Sequence, residues 1–385
     1  MKNHAAPKLI IMIAVIILTV LVACGVLTYY IDPFFHYHAP IAGFDYVIDN
    51  QLTQNPGMAE HMDYDSAILG SSMTVNFETD WFREQMGLNA LKLSYSSAYP
   101  KDICNIMNKI FAPKDDGSSK DIKKIFLGLD VITYSGDVNE TKYPIPEYLY
   151  DDCVINDIKY LVNKDVLLNY ILRPMAAPEP MNLSHIYASW WTDDYYNEEW
   201  VLLNHDAILE ANPVQMEAHA FDDAIVKNLE VNIIPFIEEH EDTEFVIFFP
   251  PYSILFWNDV MMENHLEATM NAYRIVEKKL NCYDNVSMYF FPNTENIVCD
   301  LNNYADYTHY HPKVNRMMTE CFANGGELDD GISITEHRIA KEWENGKHME
   351  EYMDDMLTIL DMYDFQGLRR TLSGYHEGGT DEEEN

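Results

Sequence analysis

Five short apolar runs, each closed by a turn and separated by stretches of helical periodicity, leave this chain few possible folds. They are Ala67–Leu69, Ala90–Ser94, Lys124–Asp130, Glu244–Phe249 and Val286–Phe291. A strand that is apolar on both faces must be covered on both, which marks a parallel sheet held between helices. The intervening segments supply them: Phe77–Met86, Pro100–Phe111, Ala224–Glu239 and Asp259–Leu280, the third with Ile225, Leu229, Ile233 and Ile237 at four-residue intervals. The expected class is therefore α/β, a flavodoxin-like three-layer α/β/α fold with a central parallel five-stranded sheet. A further helix of roughly Glu342–Met362 is expected to pack against it.

Ahead of this unit, Leu9 to Tyr30 is apolar over close to the roughly 20 residues that cross a bilayer. Lys2 and Lys8 precede the run and Asp32 follows it, so the positive-inside rule predicts a single-pass anchor with a cytoplasmic amino terminus and an extracytoplasmic main domain. Leu21-Val22-Ala23-Cys24 also has the form of a lipoprotein processing box, but the apolar run continues past Cys24, which suits an uncleaved anchor better. The expected divisions are residues 1–31 as anchor, 32–326 as the α/β domain with an aromatic-rich insertion at about 135–221, and 327–385 as a helical extension with an acidic tail.

A net charge of −38, from 25 Lys+Arg against 63 Asp+Glu, excludes nucleic acid as a partner of the bulk field. Five cysteines outside the apolar run are scattered and odd in number, with no metal-site spacing. His36-Tyr37-His38 offers two imidazoles without further ligands nearby, so neither a metal nor a cofactor is expected.

Chemistry concentrates at two places. The first strand runs into Gly70-Ser71-Ser72-Met73, which puts a hydroxyl at the carboxyl end of a parallel strand, where open α/β sheets hold their ligands. After the last strand comes Asp306-Tyr307-Thr308-His309-Tyr310-His311-Pro312, and Pro312 suits the first turn of the helix that follows. Asp306 and His309 thus sit in a loop on the same sheet edge as Ser72, where one rigid loop can supply a base and the acid that orients it.

These motifs resemble the SGNH, or GDSL-like, hydrolase superfamily over roughly Asp63 to Ala323, with Gly70-Ser71-Ser72-Met73 standing for Gly-Asp-Ser-Leu and Asp306-Tyr307-Thr308-His309 for the closing Asp-x-x-His. The chain is similar above all to the membrane-anchored branch that includes the D-alanyl transfer protein of lipoteichoic acid biosynthesis and the alginate O-acetylation proteins. The resemblance implies Ser72 as nucleophile, His309 as base and Asp306 as its orienting acid. It implies an oxyanion hole from Ser72, from Ser97 in the glycine-free turn Tyr95-Ser96-Ser97-Ala98, and from Asp130, where the family's third block, Gly-x-Asn-Asp, has asparagine. Ser71 falls at a supporting position, and His311 is a rival base whose register is wrong, because Thr308 stands where an acid is needed. Ser71, Tyr252, His311, Trp190 and Trp191 are candidate substrate-binding residues, the two tryptophans as a stacking platform in the insertion or as part of its own small core.

The implied function is a membrane-anchored extracytoplasmic serine esterase or O-acyltransferase, acetyl by resemblance, acting on a cell-surface glycan or polymer. The implied partner is a multi-pass membrane O-acyltransferase. An ionised Asp130 would repel an oxyanion, which motivates the alternative of a non-catalytic SGNH-fold binding or scaffold partner.

Overall fold

The computed structural model describes residues 5–113, 117–188, 192–325 and 347–378. These form two compact units, one of residues 1–63, 108–119 and 143–182, the other of 64–107, 120–142 and 183–385. The acidic tail beyond residue 378 and the boundary at 326–327 lie outside the described residues.

The second unit is built on β1 (Ser66–Leu69), β2 (Ala90–Lys92), β3 (Lys124–Gly128), β4 (Glu244–Phe249) and β5 (Val286–Phe290). All pairs are parallel, in the order β2-β1-β3-β4-β5. Side chains alternate between the faces along each strand, and the aromatic residues show how each face is covered. On one face Phe126, Phe248 and Tyr289 surround Phe322 of the helix Pro312–Ala323 at 5.5, 5.3 and 5.1 Å between ring centres. On the other, Phe249 and Phe290 hold Tyr273 of the helix Leu266–Leu280 at 5.2 and 5.3 Å. The result is the three-layer α/β/α sandwich that the apolar strand pattern demands.

Two expected helices are broken in two. The 224–239 pattern resolves into Asp222–Asn232 and Ile234–Glu239, because Pro235 has no N–H to continue the ladder. The 259–280 pattern resolves into Ile254–Met262 and Leu266–Leu280 about Asn264, which takes the left-handed conformation at φ 57° that asparagine tolerates. The last helices are Lys347–Met362 and Phe365–Gly378. None of the six cysteines forms a disulfide.

The first unit opens with the helix Ala5–Ile31, whose segment Lys8–Ile31 is long and apolar enough to cross a membrane and lies unburied over its apolar core. Its carboxyl end runs into a joint made by Asp32, a fully buried residue whose carboxylate accepts the N–H groups of His36, Tyr37 and His38 and the hydroxyl of Tyr160. Phe34, Leu149, Tyr160 and Val166 form a small core here, with Tyr37, Tyr148, Tyr150 and Tyr170 packed against it. His36 faces Asp157 at 3.4 Å, whereas His38 faces the carbonyls of Ala39 and Tyr29, so the two imidazoles turn to different partners. The aromatic-rich stretch 135–221 is divided between the units: Tyr148 and Tyr150 belong to this small core, while Tyr195 packs on Trp200 in the other unit.

At the ends of β1 and β3 the backbones approach closely around Thr74. A Cβ on Gly70 would lie 2.7 Å from Thr74 Cγ2, and one on Gly128 would lie 2.8 Å from it. Gly70 also has φ 140°, a region closed to residues with a Cβ. Gly70→Ala is expected to cost about 2 kcal/mol or more of unfolding free energy, read as a lowered urea midpoint at unchanged slope; an unaltered midpoint contradicts this account of the turn.

Candidate active site

The turn after β1 is fixed on every side. Ser71 caps the short 3₁₀ turn Ser72–Thr74, its Oγ accepting the Met73 N–H at 3.2 Å. The Met73 carbonyl accepts the Tyr310 hydroxyl at 3.0 Å and Asn315 Nδ2 at 3.2 Å, which ties this turn to the start of the helix Pro312–Ala323. Lys92, fully buried on β2, donates its ammonium to the carbonyls of Val75 and Phe77 at 2.7 and 2.8 Å. Desolvation pulls the Lys92 pKa down to about 7.

The loop that brings the imidazole is equally closed. Tyr304 and Tyr310 pair as an antiparallel bridge, Ala305 donates its N–H to the His309 carbonyl, and Ser253 Oγ donates to the Tyr307 carbonyl at 2.6 Å. Within the loop, Asp306 Oδ1 accepts the N–H groups of Thr308 and His309 at 2.8 and 2.7 Å. Its other oxygen, Oδ2, takes His309 Nδ1 at 2.7 Å. That bond fixes the tautomer and leaves Nε2 to accept from the Ser72 hydroxyl, 2.8 Å away. Burial pushes the Asp306 carboxyl up, but the hydrogen bond and charge of His309, with the two N–H donors, outweigh it and hold the group below the usual carboxylate range. Asp306 is therefore an anion suited to an imidazolium, and the three residues stand in the order of a nucleophile, its base and the base's orienter.

These residues open on a cavity of about 380 Å³, within the range of small-molecule sites. Ser71, Ser72, Ser97, Asp130, Tyr252 and His309 all line it. Among the described residues the backbone N–H groups of Ser72 and Ser97 have no hydrogen-bond partner, which leaves both available to a bound oxygen. Ser97 reaches its position with φ 59°, the left-handed region that favours glycine. Asp130 is buried at the cavity wall, and its carboxyl accepts hydrogen bonds from Tyr252 and Ser71. Burial raises its pKa against those two bonds and the nearby charge of His309, which favours the protonated acid.

Not every expected site residue meets here. His311 is not among the lining residues; its Nδ1 caps the helix Pro312–Ala323 by accepting the Lys313 N–H, its Nε2 faces Asp193, and its ring packs on Tyr196. Trp190 and Trp191 lie outside the described residues. The aromatic wall comes instead from Tyr99, Tyr252, Phe256, Tyr273 and Tyr307, with Lys142 over the Tyr99 ring at 5.6 Å. Of these, sequence reasoning singled out only Tyr252; Tyr307 lies inside the Asp306–His309 motif and Tyr99 two residues past Ser97, whereas Phe256 and Tyr273 come from the helices Ile254–Met262 and Leu266–Leu280. Lys92 did carry a signal, a cation inside the apolar run Leu91-Lys92-Leu93.

The depressed Lys92 pKa makes stability depend on pH with a definite sign. The unfolded lysine binds a proton up to its ordinary pKa and the folded one only up to about 7, so unfolding takes up a proton between these limits and stability rises with pH across them. Wild-type unfolding free energy should rise from pH 7 to pH 9, and Lys92→Met should remove that part of the rise; equal slopes in the two proteins contradict it.

No family model matches the chain, and no curated protein matches it. Among solved structures, it is similar to a protein of Streptococcus pneumonia whose description as a platelet activating factor is provisional, with 9% sequence identity, 71% of this chain and 88% of that one covered, and a TM-score of 0.35.

Proposed function

We propose that this chain is a serine-dependent acyl hydrolase or acyltransferase of SGNH type. The observation that carries the reading is the continuous Ser72–His309–Asp306 relay, 2.8 and 2.7 Å between successive partners, at a cavity with two unoccupied N–H donors. Ser72 Oγ attacks an ester carbonyl as its proton passes to His309 Nε2, and Asp306 stabilises the imidazolium. The tetrahedral oxyanion takes the N–H groups of Ser72 and Ser97. Its collapse breaks the ester bond, and His309 gives its proton to the departing alkoxide. A second hydroxyl, from water or a sugar, then loses its proton to His309 and takes the acyl group from Ser72, whose departing oxygen takes that proton back from His309.

Asp130 stands where the oxyanion would otherwise gain an amide donor, and as a neutral acid it donates in the same way. Its raised pKa and its bonds from Tyr252 and Ser71 support that role. The resemblance of the Ser72 and His309 motifs supports an extracytoplasmic placement, acetyl as the acyl group, a cell-surface glycan or polymer as acceptor, and a multi-pass O-acyltransferase as acyl source. The carboxyl at the oxyanion position also favours a second reading, a glycan-binding partner without turnover, which requires that the folded protein form no adduct and that Ser72→Ala leave glycan affinity unchanged.

Fluorophosphonate labelling of the full chain, followed by peptide mapping, tests the reading. Wild type should carry the adduct on Ser72, Ser72→Ala and His309→Ala should carry none, and Asp306→Asn should react roughly 1,000- to 10,000-fold more slowly. An adduct that forms without His309 would sink the proposal. For Asp130, replacement by alanine should cost about 100-fold in ester turnover, whereas Asp130→Asn should retain most of it. Turnover by wild type should decline on the alkaline side as the acid ionises, and Asp130→Asn should lack that decline; matching pH profiles contradict the role.

A further inference from the structure

The segment 152–176 of the first unit is apolar on both of its sides. Tyr160, Val166 and Ile171 face inward and are fully or nearly fully buried. Outward point Val154 and Ile155, 77% and 83% exposed, together with Ile158, Leu168, Leu172 and Met175. The last three recur at intervals of four and three along the helical run Val166–Leu172 and Arg173–Ala176, which sets them on one side of it. Apolar side chains grouped on an exposed face mark a contact surface, and no described residue of this unit covers these side chains.

The place where the segment meets the N-terminal span says what does. The last turns of that helix are covered on one face, at Thr28 and Ile31 fully and at Cys24, Gly25 and Leu27 in part. Gly25 packs against Leu161: a Cβ placed on Gly25 would lie 3.8 Å from Leu161 Cβ. The apolar span begins at Lys8. At 1.5 Å per residue, a hydrocarbon layer of about 30 Å starting there reaches roughly residue 28, and tilting the helix carries it further. Gly25 lies at hydrocarbon depth even in that limiting placement, and Leu161 packed against it shares that depth. Ile158 is one helical turn from Leu161 in the helix Ile158–Leu161.

Charge agrees with depth. In a chain with 25 basic and 63 acidic residues, the segment 152–176 carries Lys159, Lys164 and Arg173 against Asp152, Asp157 and Asp165, a balance richer in cations than the chain as a whole, and all three cations are exposed. Exposed cations on long aliphatic stems beside an apolar face reach lipid phosphates while the face stays in the acyl chains. Tyr29 and Tyr30, exposed at the end of the span, are residues suited to the same boundary.

We propose that the face made by Val154, Ile155, Ile158, Leu168, Leu172 and Met175 is immersed in the lipid bilayer beside the N-terminal span, a second membrane contact that does not cross. The occupant is lipid, with anionic headgroups held by Lys159, Lys164 and Arg173. The contact stands independently of the chemistry at Ser72.

The test uses the full-length chain in vesicles of phosphatidylcholine and phosphatidylglycerol containing a phosphatidylcholine with a diazirine on its acyl chain. After irradiation, adducts are mapped by peptide mass. Adducts are expected within 154–158 and 168–175 as well as within the span. In the variant Ile155→Glu/Leu168→Glu the segment should lose its adducts while the span keeps them. Adducts confined to the span in wild type overturn the proposal, and in that case the face is covered by protein or by water. Because the wild-type map decides alone, a variant that fails to fold does not blunt the test.

Discussion

Parallel pairing is the constraint from which the rest of the second unit follows. A parallel strand must be reached through a crossover, so all five strands end on the same edge, and their following turns gather there whatever their distance in sequence. The order β2-β1-β3-β4-β5 reverses direction between β1 and β3, and such a reversal opens a crevice at the carboxyl ends of those two strands. Ser71 and Ser72 follow β1 and Asp130 follows β3, so the crevice is lined from both sides by the chain's own topology. Gly70 and Gly128 keep it narrow, with the Thr74 methyl between them in space that no Cβ could share.

Chemical character then depends on which groups the fold keeps ionised. Asp306 and Asp130 are both carboxyls near His309, yet their surroundings drive them apart. Asp306 is wrapped in donors: two backbone N–H groups and the imidazole. Asp130 is buried with hydroxyl donors alone, which compensate a negative charge less well. One fold thus keeps one acid charged and favours a neutral one beside it, despite a chain net charge of −38 that would otherwise make any further anion costly to hold.

What could be read from the sequence follows from the range of the forces involved. The sheet was legible because apolar runs such as Ile125–Leu127 and Phe245–Phe249 report burial on both faces residue by residue. Ser72, Asp306 and His309 were legible as candidates because local spacing fixes Asp306 relative to His309, and strand polarity fixes their shared edge with Ser72. The helix breaks at Pro235 and Asn264 were overridden by a periodicity that runs on through both. His311 was harder still: a histidine before Pro312 reads equally as a pocket residue or as a cap, and only the Lys313 N–H decides. Lys142 and Tyr273 reach the cavity wall through tertiary packing, for which the sequence carries no local mark.

The Asp32 joint has a mechanical consequence. Its carboxylate gathers three successive N–H groups just past the helix end, and the same carboxylate takes the hydroxyl of Tyr160 from more than a hundred positions away. Tyr160 in turn accepts the Phe34 N–H and stacks on the Phe34 ring. A helix joined in this way is pinned to the small aromatic core, so that a twist of the helix about its own axis pulls on that core through the Asp32 bonds. Any rotation of that helix would be felt first at the residues that close the joint, Phe34 and Tyr160.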